Sequence, residues 1–184
     1  DHLDCYKDLD DIRAAFAQYL SLLPADGLVI GLADDPALVA LMARSGREYQ
    51  GFSLKGQTDW RAGSLRYDGE GHASFDVLFR GDTLGQVSLR VPGDFNALHA
   101  LAALAAAHAL GADMQSACKA LGSFVGAHRR FEFTGEIQGM RMYHDYGHNP
   151  AEMRSAISVA AMQGRRVIAV MQPHTYSRVK GLFR

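Results

Sequence analysis

The sequence predicts an α/β protein with an antiparallel β meander in its middle. Short apolar runs of strand length follow or precede amphipathic helical segments at both ends of the chain. Between them lies a stretch of short alternating segments broken by turn residues. The 184 residues are 48% hydrophobic and 21% charged, which is enough apolar material for one sizeable core or two small ones.

The beginning of the chain favours helix, strand and helix. Asp8 is a suitable N-cap for a helix over residues 9–22. The run of residues 27–33 is apolar and bounded by glycine, which predicts a strand, and the segment that follows carries Pro36 near its first turn and ends at Gly46, which predicts a helix. The first helix has apolar side chains three and four residues apart, and we expect them to form one buried face: Leu9, Ile12, Phe16, Tyr19 and Leu20.

The middle of the chain changes to strand patterns. Residues 50–90 alternate apolar and polar side chains and are interrupted by turn pairs at Asp68-Gly69 and Gly81-Asp82, which predicts the meander. Residues 94–123 return to helix. Gly111 is expected to end the first of two helices there, and Asp113 to begin the second.

The last 45 or so residues predict a strand, helix, strand unit of the kind found in parallel sheets. A strand pair is expected at Phe131–Ile137 and Met140–Asp145, joined by a turn at Gln138-Gly139. A helix follows Asn149, and the apolar run Val167–Met171 is expected to be the next strand.

Composition argues against several classes of protein. With 19 basic and 20 acidic residues the chain lacks the cationic surplus of a nucleic-acid binder, although a local basic cluster is compatible with these numbers. No apolar run reaches the roughly 18 residues of a membrane span, and the acidic first residues do not resemble a secretory signal, so we expect a cytoplasmic protein. Cys5 and Cys118 are too few for a disulfide framework or a cysteine zinc site, and we expect both thiols to be buried.

Titratable side chains crowd the turn before the last predicted helix. Asn149 is a suitable cap and Glu152, three residues later, a capping-box partner, so the helix start is well specified. Asp145 and His148 precede that cap, at the carboxyl end of a strand, where open α/β sheets bind ligands. The free N–H groups and the partial positive charge of a helix start suit an anion.

A right-handed crossover would bring the end of the Val167–Met171 strand to the same edge of the sheet. His174, Tyr176 and Arg178 are therefore expected to converge with Asp145 and His148. The alternative is structural: the tyrosines pack and the histidines lie on the surface.

Five segments in this order resemble the Mur ligases: "DHLD", "VPGDFNALHALAA", "GAHRRFEFTGE", "HDYGHNPAEM" and "QPHTYSRVKGLF". The resemblance implies a three-domain enzyme, of which residues 1–127 are similar to the later part of the P-loop-type central domain. Residues 128–184 are similar to the first part of the Rossmann-like C-terminal domain. The boundary is expected near Ala127.

The resemblance also implies a reaction. Such a ligase uses ATP and Mg²⁺ to join L-alanine to the lactyl carboxylate of UDP-N-acetylmuramate, through an acyl phosphate, in peptidoglycan biosynthesis. The phosphate-binding pattern G-x-x-x-x-G-K-[ST] does not occur in these 184 residues. The nearest stretch, Gly46–Ser53, has Phe52 in place of the lysine and is interpreted as a helix end followed by a strand. We expect the 184 residues alone to be inactive.

Residue roles follow from the same resemblance. On the nucleotide side, Asn96 resembles an adenine contact and Asp145 the ribose-binding aspartate. Arg130 resembles the catalytic arginine that reaches the ATP phosphates, with Arg129 as the weaker candidate. His2 resembles a magnesium ligand, although that ion prefers oxygen.

On the amino-acid side, His148 resembles a catalytic and substrate-contacting histidine, and His174 and Arg178 resemble further substrate contacts. An arginine is a natural bidentate partner for the alanine carboxylate.

Some positions depart from the family pattern: Phe95, His99, Asn149 and Thr175. These departures leave the adenine contacts and the amino-acid selectivity open. One alternative is therefore the related recycling ligase, which attaches a preformed tripeptide to the same sugar nucleotide. The other is a noncatalytic nucleotide-binding protein.

Overall fold

The computed structural model describes residues 5–172 together with residues 176 and 180. Its elements follow one another as α1 (Leu9–Ser21), β1 (Leu28–Leu32), α2 (Pro36–Arg44), β2 (Glu48–Ser53), β3 (Trp60–Tyr67), β4 (His72–Phe79), β5 (Asp82–Pro92), α3 (Asp94–Ala109), α4 (Met114–Ser123), β6 (Glu132–Ile137), β7 (Met140–His144) and α5 (Pro150–Met162).

The first five strands form one sheet in the order β1-β2-β3-β4-β5. The pairs β1–β2 and β2–β3 are parallel, and the pairs β3–β4 and β4–β5 are antiparallel. The predicted α/β fold with a meander is confirmed for β3 to β5. The meander begins at Trp60 and not at Gln50, because β2 returns after helix α2 and such a crossover makes it parallel to β1.

The main core lies between this sheet and helices α3 and α4. Trp60, Phe75 and Leu101 are at most 1% exposed. The indole Nε1–H of Trp60 donates to Gln50 Oε1 at 2.8 Å, so the one polar group of this buried ring is satisfied. A smaller cluster of Leu20, Val29 and Met42 joins α1, α2 and β1.

The predicted starts of three helices are confirmed. Asp8 accepts from the N–H groups of residues 10 and 11, and Asp113 accepts from that of Ser116. Asn149 and Glu152 form a complete capping box at the start of α5. Each of these bonds joins residues two or three positions apart, which is why the sequence alone predicts them.

Two burial predictions are wrong. Of the apolar face expected on α1, only Leu20 is buried, whereas Leu9, Phe16 and Tyr19 are more than half exposed. Periodicity identifies which face of a helix is apolar, but a tertiary neighbour decides whether that face is covered. Cys118 is buried as expected, but Cys5 is exposed.

The strand predicted at Val167–Met171 is also wrong. These residues have no strand pairing, and Ile168 and Val170 are 66% and 95% exposed. A strand needs a hydrogen-bonded neighbour, and among the described residues β6 and β7 pair only with each other, as an antiparallel hairpin. The expected strand, helix, strand unit therefore lacks its second strand. Within the described part of the chain, no helix is both long and apolar enough to cross a membrane.

Candidate functional site

The turn before α5 is built around the carboxylate of Asp145. Its Oδ2 accepts from the backbone N–H of Phe131 at 2.8 Å, and its Oδ1 accepts from that of Gly147 at 2.6 Å. A third bond runs alongside, since the N–H of Tyr146 donates to the carbonyl of Arg129 at 2.8 Å. Asp145 thus ties the loop before β6 to the turn that starts α5.

The loop before β6 has an unusual backbone. Arg129 and Phe131 both have left-handed φ angles, of 61° and 46°, which side chains other than glycine rarely adopt. The bonds from Asp145 and Tyr146, and one from the N–H of Arg129 to Glu132 Oε2 at 2.8 Å, hold this loop in place. Such strain persists where surrounding contacts over-determine it.

The two arginines of this loop extend toward α5 and α3. The guanidinium carbons of Arg129 and Arg130 lie 4.5 and 5.9 Å from the centre of the Tyr146 ring. Burial, together with the Arg130 cation, lowers the pKa of His99 on α3. The Arg130 charge also contributes to the low pKa of Glu152 on α5. The charge of Arg130 therefore acts on a residue of α3 and on a residue of α5.

Hydrogen bonds hold His148 at the N-terminus of α5, directly before the N-cap Asn149. Its ring Nδ1 lies 3.1 Å from the carbonyl oxygen of Tyr146 and 3.5 Å from Glu152 Oε2. Its backbone N–H donates to that same Oε2 at 3.0 Å. Burial alone raises the pKa of Glu152, but the N–H groups of His148 and Asn149 and the nearby cationic side chains outweigh burial and lower it.

The α3 side of the site begins at Gly93. This residue has a φ of 96° and caps the helix without a side chain. Asn96 Nδ2 donates to the carbonyl of Pro92 at 2.8 Å, which turns its amide back toward the strand end. Phe95 and His99 face each other edge to face, 6.0 Å apart, one helical turn apart in sequence.

Arg130 lies in the loop before β6, which Asp145 connects to the turn that carries His148, and Asn96 lies on the same helix as His99. The roles of Arg130, Asp145, His148 and Asn96 stay predictions. His2, His174 and Arg178 lie outside the described residues, so their roles stay predictions. Tyr176 is 97% exposed, and its predicted convergence with Asp145 is not observed. The described residues hold no group of three or more histidine, cysteine, aspartate or glutamate side chains suited to a metal.

Two members of the site were not predicted from sequence. Glu152 was predicted only as a helix cap, yet the same carboxylate also binds the N–H of His148. Tyr146 follows Asp145 in the same turn, and the guanidinium groups of Arg129 and Arg130 lie over its ring. The sequence signal was the run of two arginines, since guanidinium groups stack on aromatic faces. Together, two guanidinium groups and a helix start form a surface suited to a phosphate or carboxylate.

Comparisons with known families identify the class of protein. Residues 1–107 match the family described as "Mur ligase middle domain", and residues 129–183 match the family described as "Mur ligase, glutamate ligase domain". The chain belongs to the Mur ligase family.

One relative and two solved structures show which Mur ligases the chain is similar to. A UDP-N-acetylmuramate–L-alanine ligase of Caldanaerobacter subterraneus subsp. tengcongensis is 39% identical over 183 residues, which are 99% of this chain and 40% of the relative. The solved UDP-N-acetylmuramate-alanine ligase MurC of Thermotoga maritima has a TM-score of 0.72 at 27% identity, over 89% of this chain and 36% of that one. The UDP-N-acetylmuramate:L-alanyl-gamma-D-glutamyl-meso-diaminopimelate ligase of Neisseria meningitides has a TM-score of 0.59 at 34% identity, over 70% of this chain and 38% of that one. The chain spans about 40% of the length of the curated relative it matches.

Proposed function

We propose that the full-length protein is an ATP-dependent ligase that joins L-alanine to the lactyl carboxylate of UDP-N-acetylmuramate in peptidoglycan biosynthesis. The similarity to an L-alanine ligase over 99% of this chain carries the proposal. The charge of Arg130, which acts on both His99 of α3 and Glu152 of α5, supports it, because phosphoryl transfer is stabilised by cations near the transferred phosphate. The reaction takes place in the cytoplasm.

Each site residue has a proposed task. Arg130 binds the ATP phosphates and stabilises charge that develops on them. Asn96 contacts adenine and Asp145 the ribose hydroxyls. Asp145 can do this while it holds the two loops, since a carboxylate has about four lone-pair sites and the backbone uses two. His148 contacts the incoming amino acid.

Three residues outside the described part complete the proposal. His174 and Arg178 bind L-alanine, with Arg178 on its carboxylate. His2 is the proposed ligand of Mg²⁺, which would neutralise phosphate charge when bound. Residues 1–127 and 128–184 are proposed to belong to different domains.

Kinetics of the full-length protein test the catalytic proposal. Arg130→Ala should lower turnover by about a hundredfold, the usual cost of a lost transition-state donor, and leave the KM for the sugar nucleotide nearly unchanged. Arg66→Ala, at an exposed residue of β3, is the matched control and should keep full activity. An equal loss of sugar-nucleotide affinity would place Arg130 elsewhere.

A second variant tests recognition of the amino acid. Arg178→Ala should weaken the use of L-alanine by roughly tenfold to a hundredfold, since a charge-assisted hydrogen bond contributes about 1.5 to 3 kcal/mol. Arg178→Lys keeps the charge without the planar fork and should recover part of the loss. Unchanged kinetic constants for L-alanine in Arg178→Ala would contradict this role.

The tripeptide recycling reaction is the second candidate function. It is favoured by the 34% identity to the Neisseria ligase, whose name specifies a tripeptide. Release of ADP by the full-length protein with L-alanine, and separately with the tripeptide, distinguishes the two reactions. Binding of ATP without turnover in either assay would instead indicate a noncatalytic nucleotide-binding protein.

A further inference from the structure

The β6–β7 hairpin and α5 form one block in the second half of the chain. The hydroxyl of Tyr143 on β7 and the side-chain amide of Gln163 at the end of α5 lie within hydrogen-bonding distance, at 3.2 and 3.3 Å. The ring of Tyr143 is stacked on that of Phe131, 4.4 Å away, and meets that of Phe133 edge to face. This block also carries the loop with Arg130, and we call it the hairpin–helix block, residues 129–163.

Helix α5 rests on two glycines of the five-stranded-sheet region. Val159 is 1% exposed and is the buried residue of α5. A Cβ atom added at Gly93 would lie 2.5 Å from Val159 Cγ2, so the helix approaches this closely because Gly93 has no side chain. One turn further on, the Met162 Sδ lies 3.2 Å from the position of a Cβ at Gly71. Both glycines have positive φ angles, of 96° and 85°.

An ion pair joins the same two regions at the hairpin. Arg141 Nη1 lies 2.6 Å from Glu70 Oε2. The guanidinium group is 5.4 and 5.6 Å from the ring centres of Phe133 and Tyr143, and the Arg141 side chain is only 24% exposed. Glu70 in turn lies in a turn that Asp68 closes by accepting from its N–H at 2.9 Å. Contacts other than the ion pair therefore hold the side chain of Arg141 and the backbone of Glu70.

We propose that the Arg141–Glu70 ion pair and the seat of α5 on Gly71 and Gly93 form a latch that fixes the hairpin–helix block against the sheet region. The two contacts come from different elements of the block, β7 and α5, and meet the sheet region at neighbouring turns. A rigid block needs at least two separate contacts to be fixed in orientation. The ion pair and the packing of α5 on the glycines therefore fix the block together, as neither does alone. The latch positions Arg130 against α3, and Arg141 and Glu70 are positioning residues that act through Arg130.

Charge reversal tests the ion pair without any substrate. The segment between α4 and β6 contains Phe124, which is 48% exposed, and Val125, which is 76% exposed, so chymotrypsin can cut after Phe124 when the block moves. In the full-length protein, Arg141→Glu and Glu70→Arg should each speed this cleavage roughly twofold to fivefold, and the double variant should return to near the original rate. The control reversal, Arg66→Glu, should have no effect.

The packing of α5 on Gly71 and Gly93 is tested with substitutions in the helix, which leave the two glycine turns unchanged. Val159→Ala should speed the same cleavage, and Ile157→Ala, at a residue 40% exposed on the same helix, should not. Single reversals that cleave at the original rate, a double variant no better than the single ones, or equal rates for the two alanine variants would each overturn the latch.

The kinetic constants of the ligase reaction distinguish positioning of Arg130 from a purely structural role of Arg141 and Glu70. If the proposed ligase activity is found, each single reversal should lower kcat more than the KM for the sugar nucleotide, and the double variant should recover most of kcat. Absence of ligase activity would overturn the proposed function and leave the cleavage results to decide the latch. Unchanged kcat in the single variants of an active enzyme would overturn the positioning role.

Discussion

The carboxylate of Asp145 accepts a hydrogen bond from the backbone N–H of Phe131 at 2.8 Å, across 14 positions of the sequence. Its other oxygen binds the N–H of Gly147 at 2.6 Å. This one side chain therefore connects the loop that carries Arg130 with the turn that carries His148. The geometry of the candidate site depends on this connection.

Asp145→Asn should destabilise the chain by about 1 kcal/mol, because an amide has one acceptor oxygen and would place an NH₂ donor against a backbone donor. Urea unfolding followed by circular dichroism measures the change, which corresponds to a melting temperature lower by about 2–4 °C. Asp26→Asn, at an exposed aspartate, is the control. Equal stability of the two variants would show that Asp145 does not hold the loops together.

Gly147→Ala should also destabilise the chain, because the added Cβ crowds the Asp145 carboxylate. A Cβ at this position would lie 2.7 Å from Asp145 Oδ1 and 3.2 Å from the Glu152 Cβ, so the carboxylate must move and lose a bond. Gly69→Ala is the matched control, since no atom lies within 4 Å of its added Cβ. Thermal unfolding should therefore show a loss for Gly147→Ala that Gly69→Ala lacks, and the same melting temperature for both would contradict the contact.

Arg130→Ala should raise the pKa of His99. Burial lowers this pKa first and the Arg130 cation lowers it further, so removal of the cation should return the pKa only part of the way to its usual value. NMR titration of the His99 ring protons measures the change. Arg129→Ala, which removes the neighbouring guanidinium, should leave the His99 pKa where it was. Identical titration curves in the original protein and in Arg130→Ala would show that Arg130 does not approach α3.

Glu152 should make the stability depend on pH in acid. Its pKa is lower in the folded chain than the usual 4.5, so the unfolded state binds the proton more readily. The stabilisation is complete above about pH 5 and is lost as the pH falls through the folded pKa. The difference in unfolding free energy between the original protein and Glu152→Gln should therefore shrink from about pH 6 to about pH 3.

A difference for Glu152→Gln that stays flat from about pH 6 to about pH 3 would mean that the folded chain does not favour ionised Glu152.

The sequence by itself determined the features that are held by near neighbours along the chain. The capping box of Asn149 and Glu152, the cap at Asp8 and the hairpin turn at Gln138-Gly139 need only hydrogen bonds between residues a few positions apart, and all three are observed. The crowding of Asp145 and His148 before α5 was visible for the same reason, because both precede a helix start that the sequence specifies.

Tertiary structure decided everything that depends on distant partners. Val167–Met171 has the composition of a strand but pairs with no strand among the residues that the structure describes, and the apolar face of α1 is left largely uncovered. Only the folded chain places Arg130 near His99 and seats Val159 on Gly93. Strand pairing and burial are contacts between segments far apart in sequence, and apolar periodicity records that a surface needs a partner without recording which partner it meets.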